Sequence, residues 1–155
     1  MIQASQTTQK SNKFYLKSLC NRMFDFILPP DDIKPIIILD DRGGRVSNYI
    51  KAAQNYADQG REVRIIGLCW SACSLALSVP KVCVGPMATV MFHDAYDLKS
   101  GKTDTAATKE LLSKLPEKIQ KAVGAMVQKE FHAAATLDAE KLMALGIRKC
   151  AKELD

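Results

Sequence analysis

No apolar run in this chain approaches the roughly 20 residues that a membrane-spanning helix needs, so no membrane association is expected. The first residues, MIQASQTTQKSNK, are polar and hold no apolar core of a secretory leader, so no signal peptide is expected. Only two histidines are present, and neither stands in register with a cysteine pair, which argues against zinc. The glycines form neither a GxGxxG nor a Walker A pattern, and no metal or cofactor is implied. The net charge is +5, yet no Lys/Arg block or basic stripe with interleaved aromatics carries it; it reads as a solvated surface, with no nucleic-acid partner expected. Internal repeats and low-complexity linkers are also missing.

The five cysteines, Cys20, Cys69, Cys73, Cys83 and Cys150, are an odd number in a chain too long to depend on a disulfide scaffold. Cys69 and Cys73 are four apart, a spacing that puts both on one face of a helix. Buried free thiols acting as small hydrophobes are the first reading of them, with a local disulfide or redox pair as the alternative. The missing leader and the odd thiol number together point to the cytoplasm.

What is present is an ordinary globular composition: 155 residues, 47% hydrophobic and 25% charged. A chain of this length can bury roughly 70% of its unfolded surface in one core. Residues 1–12 read as a flexible N-terminus and residues 13–155 as a single domain. Over residues 13–28 the apolar positions recur at three and four, the pattern of an amphipathic helix, which Pro29 and Pro30 end. The run PIIIL at 35–39 has the look of a strand buried on both faces, DDRGG at 40–44 of a turn, and 46–59 of a helix closed by Gly60. Residues 61–67 form the next strand, completing a right-handed βαβ unit. A short helix over 71–79, strands at 82–85 and 89–93, and a polar loop at 96–102 follow. Thr103 or Asp104 caps a helix to about residue 115; Pro116 opens another over 117–133; Asp138 caps a last one, ending at Gly146, before a short strand at 147–150. Strands alternating with helices give α/β with a mainly parallel sheet of βα units.

Three features carry chemistry. Gly43 and Gly44 lie between a buried strand and a helix, where glycines allow positive φ and can turn backbone N–H groups into a site. Such a pair serves a phosphate or an oxyanion hole, or is a plain tight turn; the two acids before it oppose a phosphate. Ser71 opens a short apolar helix after a strand, either as a helix cap or as a nucleophile. His93 ends a later strand, either as a structural histidine or as the base that a serine needs.

In this order, the glycine pair after the first buried strand, GxxxS after the next, and then CxxPxxxxMxH resemble the Clp protease proteolytic subunit and its relatives on the crotonase fold. The likeness is to a small branch with a C-x-S-A-C motif, here Cys69, Trp70, Ser71, Ala72 and Cys73. It extends over about residues 13–150 and is strong over 36–93. The resemblance implies a ClpP/crotonase-like α/β fold with a handle helix, Ser71 as nucleophile, His93 as general base, and Gly44 and Ala72 as oxyanion-hole donors, with Gly43 shaping the turn. It implies a serine endopeptidase acting on peptides or proteins, and self-association through the handle helix; an unfoldase or adaptor partner is left open.

The family's N-terminal strand and axial loop are missing or reduced to residues 1–12. Where the third triad member belongs, the chain reads Ala133, Ala134, Ala135, with no acid. Asp97, on the loop after His93, is the candidate taken for that role; Asp94 and Asp138 are the others. The alternative function is a catalytically impaired module on the same fold that binds peptides or serves assembly.

Overall fold

The computed structural model describes residues 34–97, 99–127 and 135–151. The expected flexible stretch at 1–12, the helix at 13–28 and residues 128–133 of the long helix lie outside the described residues. Strand β1 (Ile36–Asp41) leads into α1 (Val46–Asp58), then the central strand β2 (Val63–Trp70) and a 3₁₀ helix (Ser71–Ser78). Strands β3 (Val82–Val84) and β4 (Thr89–Phe92) follow, then α2 (Thr105–Lys114), α3 (Glu117–Val127), β5 (Ala135–Asp138), α4 (Ala139–Ala144) and β6 (Arg148–Lys149). The architecture is mixed α/β. Pairings β1 with β2, β2 with β3, β2 with β4 and β3 with β6 are parallel; β5 joins β4 antiparallel.

β2 organises the sheet because it serves two sets of neighbours on one side. Its first half, from Val63, pairs with β3; its second half, from Leu68 to Trp70, pairs with β4, while β1 runs along the other edge. The changeover is a bulge. Ile38 lies opposite Ile65 but Asp40 lies opposite Leu68, so two β2 residues face Leu39 alone. Gly67 sits in that bulge, where a β-carbon would come 2.2 Å from the Leu39 carbonyl oxygen, a separation no side chain tolerates. The expectation that Gly67 ends the strand is corrected accordingly: it bends β2, which continues to Trp70.

The core lies between the sheet and the helices. Val63, Ile65, Val84, Val90 and Phe92 from the strands meet Leu75 and Leu77 from the 3₁₀ helix, Ile119 and Val123 from α3, and Leu142 from α4, all essentially excluded from solvent. Each such side chain stabilises the fold by about 1.5–3 kcal/mol through burial. β1 departs from its expected two-sided burial: Ile36 and Ile38 pack on the core, while Ile37 and Leu39 are 47% and 64% exposed. Among the described elements β1 pairs with β2 only, which leaves it at an edge. Among the described residues no helix is long and apolar enough to cross a membrane.

Four of the cysteines are paired. Cys69 bonds Cys73, and Cys83 bonds Cys150, 67 positions away. The free-thiol reading of Cys69 and Cys73 is overturned: the sharp turn at Ser71 brings their Cα atoms within 5.3 Å. Cys20 lies outside the described residues.

Candidate active site

The candidate residues gather where parallel strands end together. Trp70 is in register with Met91 on β4, and Cys69 with Asp41 on β1. Ser71 comes one residue after the end of β2, His93 one after the end of β4, and Gly43 two after the end of β1. Parallel pairing therefore carries all three to one edge of the sheet, the edge at which open α/β folds hold their ligands.

Ser71 has φ 57°, and it is the one non-glycine with positive φ among the described residues. A left-handed conformation costs an L-residue roughly 1–2 kcal/mol, and such outliers collect at functional sites. Strand alternation would place Ser71 on the buried face that Cys69 occupies; the turn at φ 57° breaks that alternation and starts the 3₁₀ helix at once. The helix is 3₁₀ over its full eight residues, tighter than the α-helix that the spacing suggests. The Ser71 hydroxyl makes no hydrogen bond among the described residues, so Ser71 and His93 are close in topology without being bonded to each other.

Gly43 presses on this elbow. With φ 80°, it lies where a β-carbon would stand 2.5 Å from the Trp70 oxygen and 2.9 Å from both the Ala72 nitrogen and the Ser71 β-carbon. Its own N–H is donated to Asp41 Oδ1 at 2.8 Å, an Asx turn. The Tyr49 hydroxyl, from the first turn of α1, donates to the same oxygen at 2.6 Å. Burial, and then the bond to the Asp41 carboxylate, push the Tyr49 phenol up to about 12, so it stays a donor at any physiological pH. The Arg42 guanidinium lies 4.8 Å over the Trp70 ring, tying the turn to the residue before Ser71. Gly44 is exposed, and its N–H has no acceptor among the described residues.

His93 is half-buried, with its Nδ1 2.7 Å from the carbonyl oxygen of Asp94. A carbonyl can only accept, so Nδ1 carries the proton and Nε2 is left as the basic nitrogen. Tyr96 flanks the imidazole, ring centroids 5.9 Å apart.

None of the three expected acids gives its carboxylate to His93 Nδ1. Asp97 is exposed, and its Oδ1 accepts from the Lys99 and Ser100 amides, which hold its carboxyl below the usual range. Asp138 caps α4 by accepting from the Lys141 amide, which likewise lowers it. In the antiparallel register Asp138 lies beside Thr89, at the far end of β4 from His93. Asp94 contributes its main chain. Among the described residues no group of three or more His, Cys, Asp or Glu side chains could hold a metal ion.

Two parts of this arrangement, Asp41 and Tyr49, carry no role in the sequence taken alone. Asp41 had a signal, being an Asp two residues ahead of a turn glycine. Tyr49 fell inside the helix expected over 46–59, with no role of its own. The bridge across Ser71 was legible as an alternative in the C-x-S-A-C spacing.

No family model and no curated protein matches the sequence. Among solved structures, a protein described only as an enzyme aligns over 86% of this chain and 83% of its own, with 11% identity and a TM-score of 0.49. A peptidase from Plasmodium falciparum aligns over 86% and 84%, with 8% identity and a TM-score of 0.47. Likenesses this weak do not bear on the chemistry, which rests on the residues themselves.

Proposed function

We propose that the chain is a serine-type peptidase of the Clp protease and crotonase-fold kind, with Ser71 as nucleophile and His93 as base. Ser71 Oγ attacks the carbonyl carbon of a peptide bond as its proton passes to His93 Nε2. The N–H groups of Gly44 and Ala72 receive the negative oxygen of the tetrahedral intermediate. Collapse breaks the C–N bond, the departing amine takes the proton from Nε2, and an acyl ester remains on Ser71. Water, activated by the same nitrogen, releases the acid and restores the serine. Protein or peptide substrates and self-association through α2 and α3 belong to this reading.

The observation that carries it is the left-handed turn at Ser71, packed against Gly43 at the strand edge where His93 offers a basic Nε2. The Asp94 carbonyl takes the place of the acid that orients the imidazole in other serine hydrolases. It fixes the tautomer but brings no full negative charge to steady the imidazolium, so slow turnover is expected.

That same feature favours the second reading, a silent module that binds peptides without cleaving them. A fluorophosphonate probe separates the two. Covalent labelling of the wild type, mapped to Ser71 by mass spectrometry and lost in Ser71→Ala, supports the peptidase. No labelling between pH 6 and pH 9 sinks it.

A further inference from the structure

We propose that Asp41 and Tyr49 are positioning residues for the oxyanion hole: they lock the turn so that Gly43 spends its N–H internally and Gly44 presents its own. The assignment rests on the peptidase reading above.

Asp41 is the last residue of β1, paired in register with Cys69 two positions before the nucleophile. One carboxylate oxygen receives two donors, the Gly43 amide at 2.8 Å and the Tyr49 hydroxyl at 2.6 Å. The first bond removes the Gly43 N–H from any role toward substrate. The second ties the end of β1 to the first turn of α1, so the chain between is held at both ends. The Tyr49 ring also lies beneath Gly44: a β-carbon there would be 3.5 Å from Cε2, an ordinary contact that supports the turn without crowding it. With Gly43 wedged against the Ser71 elbow, any slackening of Asp41 shifts Gly44 relative to the nucleophile. Donors to an oxyanion act through preorganisation, and a misplacement of about 1 Å can cost on the order of 10²-fold in rate. A carboxylate so near an oxyanion would repel it; two hydrogen bonds to a single oxygen, one from a phenol that keeps its proton, disperse that charge.

The test compares Asp41→Ala, Asp41→Asn and Tyr49→Phe with the wild type in the full chain. Turnover of an unstructured peptide, affinity for a peptide boronate that mimics the tetrahedral state, and Tm are measured together. Asp41→Ala is expected to lower kcat by on the order of 10²-fold and boronate affinity by a similar factor, with KM within about threefold. Asn keeps an acceptor oxygen and restores most of both; Tyr49→Phe falls between. Equal losses in kcat and boronate affinity that Asn does not restore, accompanied by a drop in Tm, would mean a folding role only and overturn the proposal. Unchanged kcat in Asp41→Ala would overturn it as well. Should the wild type show no activity dependent on Ser71, the peptidase reading fails by itself, and amide exchange then judges the lock. Gly43 N–H exchange that accelerates by on the order of 10²-fold in Asp41→Ala upholds the lock; unchanged exchange refutes it.

Discussion

A β-carbon placed on Gly43 would stand 2.9 Å from the β-carbon of Ser71. The oxygen of Trp70 would be nearer still, and it is backbone, which cannot swing aside. Gly43 also has φ 80°, whereas Gly44 has neither constraint. The two neighbouring glycines are therefore not equivalent. Gly43→Ala is expected to cost about 2 kcal/mol or more, from strain and from the collision with the elbow. Gly44→Ala should cost less than about 1 kcal/mol. Urea denaturation of both variants checks the difference, and equal costs would mean the turn does not press on Ser71.

The carbonyl that holds His93 Nδ1 belongs to Asp94, so the surrounding carboxylates should be dispensable. Asp94→Asn, Asp97→Asn and Asp138→Asn are each expected to leave the rate of fluorophosphonate labelling within about threefold of wild type. His93→Asn should lower it by about 10²-fold or more, because the proposed base is lost. A loss of about 10²-fold in Asp97→Asn alone would show that the loop rearranges to bring that carboxylate to the imidazole.

The strands and helices that the sequence made legible are those with local causes. Val46–Asp58 follows from apolar spacing, the start of α2 from the Asp104 cap, and α4 from the Asp138 cap. β5 was invisible because its four residues, ATLD, include a helix-favouring alanine and gain their strand geometry only by pairing with β4. The bulge at Gly67 has the same kind of origin: a glycine ends a strand or bends it according to what lies opposite, here the Leu39 carbonyl. Of the proposed site, Ser71, His93 and the glycine pair could be picked out as candidates by residue type and order. The bond from Tyr49 to Asp41 could not, because it is a relation set by the folded chain, as is the pairing of Cys83 with Cys150.

Glu62 ties the start of β2 to β6. Its carboxylate receives Arg64 and Arg148 at 2.7 Å each, the latter from the two-residue strand β6. Burial alone would raise its pKa, but the bonds from Arg148 and then Arg64 outweigh burial and hold it below the ordinary glutamate value. A depressed folded-state pKa contributes stability above the unfolded value and loses it as pH falls through the folded one. The wild type should therefore lose stability in acid below the usual glutamate range. Glu62→Gln should be less stable than wild type at pH 7, and the gap should narrow from pH 7 toward pH 3. Thermal melts across that range check the sign; an unchanged gap at both pH values would mean that Glu62 acts by shape alone.

The two disulfides should separate stability from reactivity. Cys83 and Cys150 close a long loop and hold β6, so their removal is expected to cost about 4 kcal/mol by loop entropy. Cys69 and Cys73 close a loop of a few residues, for which the same relation gives about 2 kcal/mol. Yet this second bridge spans Ser71 itself, and both its sulfurs are buried in the core, out of reach of a reductant unless the elbow opens. It serves as a brace on the left-handed turn. The variant with Cys69→Ala and Cys73→Ala should lose labelling at Ser71 by about tenfold or more while keeping most of its stability. The variant with Cys83→Ala and Cys150→Ala should show the reverse. Urea denaturation and labelling rates on both, at a temperature where each is folded, distinguish the two roles. Disulfides of this kind persist in oxidising surroundings. Intact mass without reductant, lower by four hydrogens than after reduction, is the direct check on both bridges.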